Sequence, residues 1–207
     1  QNFRSGDFRW ETNINFSSYR NKIVDVYGDG KDDIVNRWFI GHPVRVVYDY
    51  KKVGVWQVGE DPAGWDATAK PGYLKFADIS GADGKPDGKI DDKDMVIQGS
   101  QLPDWSGGIT NTFHYKNFDL NVFIQTVQGV LRNNTDLFYA DEAYRLNLPK
   151  EIGYWTPENK SQTRPSLDPN ARAAARGYGY PSDASFRRIK DVTLSYTMPQ
   201  NILDKIK

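Results

Sequence analysis

The sequence predicts an all-β fold made of antiparallel strands, and three observations lead to this expectation. Apolar and polar residues alternate with a two-residue period in several segments, which is typical of strands with one apolar face. No segment sustains the 3.6-residue period of an amphipathic helix. Tight turns alternate with long polar segments between the predicted strands, as they do in transmembrane β-barrels.

The first two predicted strands cover residues 8–17 and 44–51. In each strand one parity is apolar and the other is polar, with Val47 as the exception in the second strand. The apolar side chains are Phe8, Trp10, Ile14 and Phe16 in the first strand, and Val44, Val46, Tyr48 and Tyr50 in the second. The polar side chains include Arg9, Glu11, Asn13, Arg45 and Asp49. We expect the polar parity to line an aqueous interior.

A β-hairpin is predicted between Trp105 and Thr126. A two-residue turn at Lys116-Asn117 brings the apolar side chains of both strands to one face. The predicted cross-strand pairs are Tyr115 with Phe118, Phe113 with Leu120, and Ile109 with Ile124. A last strand is predicted over residues 191–198, and Pro199 ends it because proline cannot donate to a β-ladder.

Two long polar segments, residues 51–104 and 126–185, separate these strands. Tight turns on one side and long loops on the other are typical of transmembrane barrels, whose loops lie outside the cell. We therefore expect both segments to be long outer loops.

Composition excludes several classes of protein. The 27 Lys+Arg and 27 Asp+Glu residues balance to a net charge of zero, which argues against nucleic-acid binding. No apolar run approaches the ~20 residues that a transmembrane helix needs. The chain has no cysteine and two histidines, and it lacks a G-x-S-x-G motif, so we expect no catalytic triad and no enzyme activity.

An Asp-rich run between residues 78 and 94 is the strongest local motif. Calcium prefers six to eight oxygen ligands on a glycine-containing loop. The candidate ligands are Asp78, Asp83, Asp87, Asp91 and Asp94, although Lys85 stands where such loops carry Asp or Asn. The alternative is a solvated loop of Asx turns without metal. No organic cofactor is expected.

Aromatic residues are frequent in the long segments and are candidates for stacking on sugar rings. The candidate substrate-binding residues are Trp65, Trp155, Tyr139 and Tyr144. The alternative for each one is packing inside its own loop.

Ordered sequence blocks resemble one known family. The blocks include Phe8-Arg-Trp10, Asp87-Gly-Lys-Ile-Asp91, Leu102-Pro-Asp-Trp105, Trp155-Thr-Pro157 and Arg187-Arg-Ile-Lys-Asp-Val192. In this order they are similar to the C-terminal part of the SusC/RagA-type TonB-dependent outer-membrane transporters. The resemblance covers nearly the whole chain.

The resemblance implies that residues 1–207 form the C-terminal part of a large, 22-stranded barrel, without its plug domain and last strands. It also implies an outer-membrane location in a Gram-negative, Bacteroidetes-like cell, and import of glycans or peptides. The implied partners are a SusD-like surface lipoprotein, outer-membrane lipid, and TonB, which acts through an N-terminal region that this sequence lacks. The rival interpretation is a soluble, secreted β-sandwich that binds glycans with calcium.

Overall fold

A computed structural model of the chain describes residues 2–141, 152–168, 171 and 178–205. Within these residues the fold is all-β, as predicted, with two short helices, α1 (Thr135–Asp141) and α2 (Gln200–Leu203). The strands are β1 (Phe3–Ser5), β2 (Phe8–Ser17), β3 (Val46–Tyr50), β4 (Lys52–Val55), β5 (Leu74–Phe76), β6 (Met95–Ser100), β7 (Trp105–Tyr115), β8 (Phe118–Gln128), β9 (Leu131–Asn133), β10 (Pro181–Asp183) and β11 (Phe186–Tyr196). No helix in this part of the chain is long and apolar enough to cross a membrane.

The chain divides into two compact units. The sheet unit comprises Gln1–Asn21, Leu102–Val130 and Ala184–Lys207. The insert unit comprises Lys22–Gln101 and Leu131–Asp183, which are two insertions between strands of the sheet unit.

The sheet unit is one antiparallel sheet with the strand order β1-β2-β7-β8-β11. The predicted hairpin register is confirmed, because Tyr115 pairs with Phe118, Phe113 with Leu120, and Ile109 with Ile124. At the hairpin turn, Lys116 adopts a positive φ of 52°. Both insertions leave the sheet from the end opposite this turn, since Ser17 pairs with Ser106 and Phe186 pairs with Val127.

In the sequence, Phe123 and Asn111 break the alternation of apolar and polar residues in the hairpin, and their neighbours in the sheet explain both. Phe123 lies on the polar face, where its ring covers Gly108, and a Cβ at Gly108 would come within 2.6 Å of that ring. Asn111 lies on the apolar face, where its Oδ1 accepts hydrogen bonds from Trp10 Nε1 at 3.0 Å and Thr12 Oγ1 at 2.7 Å. Successive side chains therefore still point to alternate faces of the sheet at both positions.

The insert unit contains three two-stranded antiparallel sheets, β3 with β6, β4 with β5, and β9 with β10. Both insertions contribute to one hydrophobic core. The first contributes Tyr50, Val55, Leu74 and Phe76, and the second contributes Trp155, Tyr178 and Tyr180. The segments predicted as two long loops thus contain short strands and pack together.

The expectation for residues 44–51 is wrong in one respect. These residues do form a strand, β3, but four of its five residues are buried in the insert unit, including Val47 and Asp49. Val47 breaks the alternation because both faces of β3 are covered. Asp49 therefore does not line an aqueous interior.

Candidate functional site

One face of the sheet unit is apolar across four neighbouring strands. Cross-strand pairing aligns its side chains in rows that run from β2 through β7 and β8 to β11. The three apolar rows are Phe8-Tyr115-Phe118-Tyr196, Trp10-Phe113-Leu120-Leu194 and Ile14-Ile109-Ile124-Ile189. Many of these side chains are exposed, with Ile14 and Leu194 each at 68%. A continuous exposed apolar face of this kind is typical of a surface that meets an apolar partner or medium.

The opposite face of the same sheet is polar, and its side chains pair with one another. Arg9 forms an ion pair with Glu11 at 3.6 Å. His114 contacts the carboxylate of Asp119 across the β7–β8 hairpin. Thr112 Oγ1 donates to Asn121 Oδ1 at 3.2 Å, farther along the hairpin. The sheet thus separates an apolar surface from a hydrated one.

The predicted substrate-binding aromatic residues have different environments in the insert unit. Trp155 is a core residue with 7% exposure, and its Nε1 donates to Gln57 Oε1 at 2.9 Å. Its ring is covered by protein, which favours the alternative of packing inside its own loop, and stacking of Trp155 on a substrate stays a prediction. Trp65 is half-buried, and its Nε1 donates to the Phe76 carbonyl at 2.7 Å.

The two tyrosines among these candidates also differ. Tyr139 lies on α1 and is 41% exposed, and its ring meets that of Phe138 edge to face at 5.5 Å. Tyr144 lies outside the described residues. Of the three candidates that the structure describes, Trp155 is buried, Trp65 is half-buried and Tyr139 is exposed.

The Asp-rich loop is closed by hydrogen bonds from its backbone to two buried carboxylates. Asp78 accepts from the backbone N–H groups of Asp87 at 3.0 Å and Gly88 at 2.8 Å. Asp94, which is fully buried, accepts from the backbone N–H groups of Ile79, Ser80 and Asp91 at 2.8–3.0 Å.

The remaining candidate ligands of this loop serve local turns. Asp87 accepts from Lys89 N at 3.0 Å, and Asp91 accepts from Lys93 N at 2.8 Å. Asp83 is exposed in a turn with a φ of 58°. In the part of the chain that the structure describes, no three Asp, Glu or His side chains are grouped closely enough to hold a metal ion. Calcium binding by this loop stays a prediction.

Sequence reasoning missed a buried carboxylate that joins the two insertions. Asp49 is 3% exposed, and its oxygens accept from the backbone N–H groups of Gly179 at 2.8 Å and Tyr50 at 2.7 Å. Burial raises the pKa of Asp49, although the two N–H donors partly oppose this. Burial also raises the pKa of Tyr178, and the nearby charge of Asp49 adds to that rise. Only its position in a strand of apolar residues could have indicated this role.

Comparison with known proteins gives consistent results. No family model matches the chain. Two curated proteins of Formosa agariphila, TonB-dependent receptor P3 and TonB-dependent receptor P26, are each 31% identical to it, over 99% and 96% of the chain. The chain spans 21% of the length of each, or about a fifth.

Among solved structures, the fold is similar to that of chains in the RagAB peptide importer in its 'closed-closed' state and in the RagAB peptide transporter. Both comparisons have a TM-score of 0.70 at 21% identity, cover 97% of this chain, and cover 22% and 21% of the other chain. The solved structures support the fold of this chain, and the two curated proteins show that its sequence is similar to a segment of TonB-dependent receptors.

Proposed function

The chain is a homologue of one segment of the TonB-dependent receptors, and from this we propose that it forms part of the barrel wall of an outer-membrane active transporter. In this proposal the sheet unit crosses the outer membrane, and the insert unit is built from extracellular loops. The protein is of the SusC/RagA type, works with a SusD-like lipoprotein, and is energised through TonB. Its activity is transport, not catalysis.

The exposed apolar face of the sheet unit is the observation that carries this proposal. Strands β7, β8 and β11 each have 11 residues. At ~3.3 Å per residue such a strand is ~36 Å long, and a tilt of ~45° gives it a height of ~25 Å, which is the height of the apolar band of an outer-membrane barrel. In a soluble β-sandwich this face would pack against a second sheet.

The polar face of the sheet then lines the interior of the barrel. Polar interiors are typical of barrels through which hydrophilic solutes pass. We propose that the cargo is an oligosaccharide or a peptide. The related solved structures are of a peptide importer, which favours the second. Tyr139 and Trp65 are the proposed contacts to cargo among the described aromatic residues.

Calcium is proposed only for the Asp-rich loop. All its candidate ligands are oxygen atoms, and Ser80 Oγ is buried without a hydrogen-bond partner among the described residues. Asp87 and Asp91 would bind the ion, after their side chains turn away from the N–H groups that they now accept from. The ion would rigidify the loop and would take no part in a reaction.

Fractionation and import assays in the native cell test the proposed function. We expect the intact protein in the outer-membrane fraction, and we expect its deletion to abolish uptake of one labelled oligosaccharide or peptide. Removal of TonB should abolish the same uptake, because the energy comes through TonB. Recovery of the intact protein in the soluble fraction, or uptake that persists without TonB, would contradict the proposal.

A further inference from the structure

A pocket of about 230 Å³ opens on the insert unit. Its lining consists of Ile23, Asp25, Val26, Trp38 and Val44. Four of these five side chains are apolar or aromatic, and the fifth is a carboxylate. Trp38 is 38% exposed and Val44 is 49% exposed, so the pocket walls are accessible.

Backbone hydrogen bonds hold the pocket walls in place. Ile23 N donates to the His42 carbonyl at 2.9 Å, and Gly41 N donates to the Ile23 carbonyl at 2.8 Å. Asp33 and Trp38 exchange two backbone hydrogen bonds at 2.8 and 2.9 Å. The indole of Trp38 is therefore attached to a fixed turn and not to a free loop.

Asp25 presents one carboxylate oxygen that is not used by the turn. Its Oδ1 accepts from Val26 N at 2.6 Å and from Gly28 N at 2.9 Å. Its Oδ2 accepts no hydrogen bond from the described residues. The carboxylate is thus positioned by its first oxygen and can bind a ligand with its second.

The pocket lining carries one charged side chain, the carboxylate of Asp25. Over residues 22–45 the acids Asp25, Asp29, Asp32 and Asp33 are balanced by Lys22, Lys31, Arg37 and Arg45, so the charge preference comes from the lining itself. Asp32 and Asp33 are engaged with the backbone of Ile40 and Asn36, and they do not line the pocket. A ligand with a positive charge is therefore favoured.

The chemistry of the lining selects a ligand with an alkyl stem and a cationic end. Apolar walls bind the methylene groups of such a side chain, the indole face attracts its charge, and a carboxylate pairs with it. A sugar ring would need several hydrogen-bonding partners, and this lining offers one polar side chain. We infer that the pocket binds a lysine or arginine side chain of a peptide that the transporter carries.

This inference rests on the proposed function, because it names the cargo class of the transporter. The test uses the intact protein purified in detergent and three fluorescein-labelled pentapeptides of alanine with a central lysine, norleucine or glutamate. Fluorescence anisotropy gives the Kd of each. Norleucine has a similar stem without the charge, so it isolates the contribution of the cation.

We expect the lysine peptide to bind about fivefold more tightly than the norleucine peptide, which is what an exposed cation–π contact and an exposed ion pair supply together. Asp25→Asn should reduce this difference, since the amide oxygen can still accept from Val26 and Gly28 but the ion pair is lost and only the cation–π contact with Trp38 is left. Asp29→Asn is the matched control, because Asp29 also supports a turn, through Lys31 N, yet does not line the pocket. Trp38→Ala should weaken binding of both peptides.

Equal affinities for the lysine and norleucine peptides would overturn the inference, and so would equal effects of Asp25→Asn and Asp29→Asn. Displacement of the lysine peptide by a neutral oligosaccharide at low concentration would also overturn it, because the pocket would then be a sugar site. These results leave the proposed function standing if uptake still depends on TonB. Recovery of the protein in the soluble fraction would instead contradict the proposed function, whatever the peptide affinities are.

Discussion

A positive charge introduced on the apolar face of the sheet unit should destabilise the protein in a membrane. Val192 is 60% exposed on that face and lies one residue from the midpoint of β11, where it pairs with Val122. If the sheet crosses the membrane, Val192→Arg places a cation near the midplane and costs about 2–4 kcal/mol. Leu194 is three residues from the midpoint, or ~7 Å in depth at a tilt of ~45°, so Leu194→Arg should cost less.

The matched control lies one residue away on the other face. Thr193 is exposed on the polar face, where its Oγ1 donates to Asp191 at 2.8 Å. Thr193→Arg should therefore fold and assemble normally. Urea unfolding of the intact protein in phospholipid vesicles measures the free energies, and heat-dependent mobility on gels reports assembly. Equal costs for Val192→Arg and Thr193→Arg would refute the assignment of the two faces.

Four further predictions concern the insert unit. Asp49→Ala should destabilise it by about 2–4 kcal/mol, because two buried N–H groups lose their acceptor, and amide exchange at Gly179 would report the change. Burial raises the pKa of Asp49, so protonation of this carboxyl stabilises the folded state. This stabilisation is complete below the unfolded pKa near 3.8 and is lost as the pH rises through the higher folded pKa. Asp49→Asn should therefore flatten this pH dependence of the free energy of unfolding. Gly72→Ala should lower the free energy of unfolding, measured by thermal unfolding, by about 1–3 kcal/mol, because the new Cβ would lie 2.6 Å from the Trp155 ring and Gly72 has a φ of +89°. Gly64→Ala is the control, because a Cβ at Gly64 meets nothing within 4 Å. Excess Ca²⁺, but not Mg²⁺, should slow amide exchange in the Asp-rich loop. Unchanged exchange with Ca²⁺ would contradict the proposal that this loop binds calcium.

The sheet unit could be predicted closely from the sequence because its signals are local. A two-residue period sets which side chains share a face, and the turn at Lys116-Asn117 sets the register of the hairpin. The bulge between Ile189 and Asp191 had no such signal, because it becomes visible only through pairing with β8. The order of the strands likewise depends on pairs that are far apart in the chain.

The insert unit could not be predicted in the same way because its contacts are long-range. Trp155 Nε1 bonds Gln57, and Gly179 N bonds Asp49, across 98 and 130 residues. An aromatic residue in a polar segment has the same local pattern whether it packs in a core or faces a ligand. Trp155 and Tyr139 were therefore equivalent in sequence, although one is buried and the other exposed.

The proposed barrel wall requires that the apolar face of the sheet unit meets lipid and that its polar face meets water. The described segment contains no cysteine, so single cysteines can be introduced along β11. Spin labels at Val192, Thr193, Leu194 and Ser195 of the intact protein in lipid vesicles can then be tested for relaxation by oxygen and by a water-soluble nickel complex. The account predicts that oxygen relaxes the labels at Val192 and Leu194, whereas the nickel complex relaxes those at Thr193 and Ser195. Equal relaxation of all four labels by the nickel complex would contradict it.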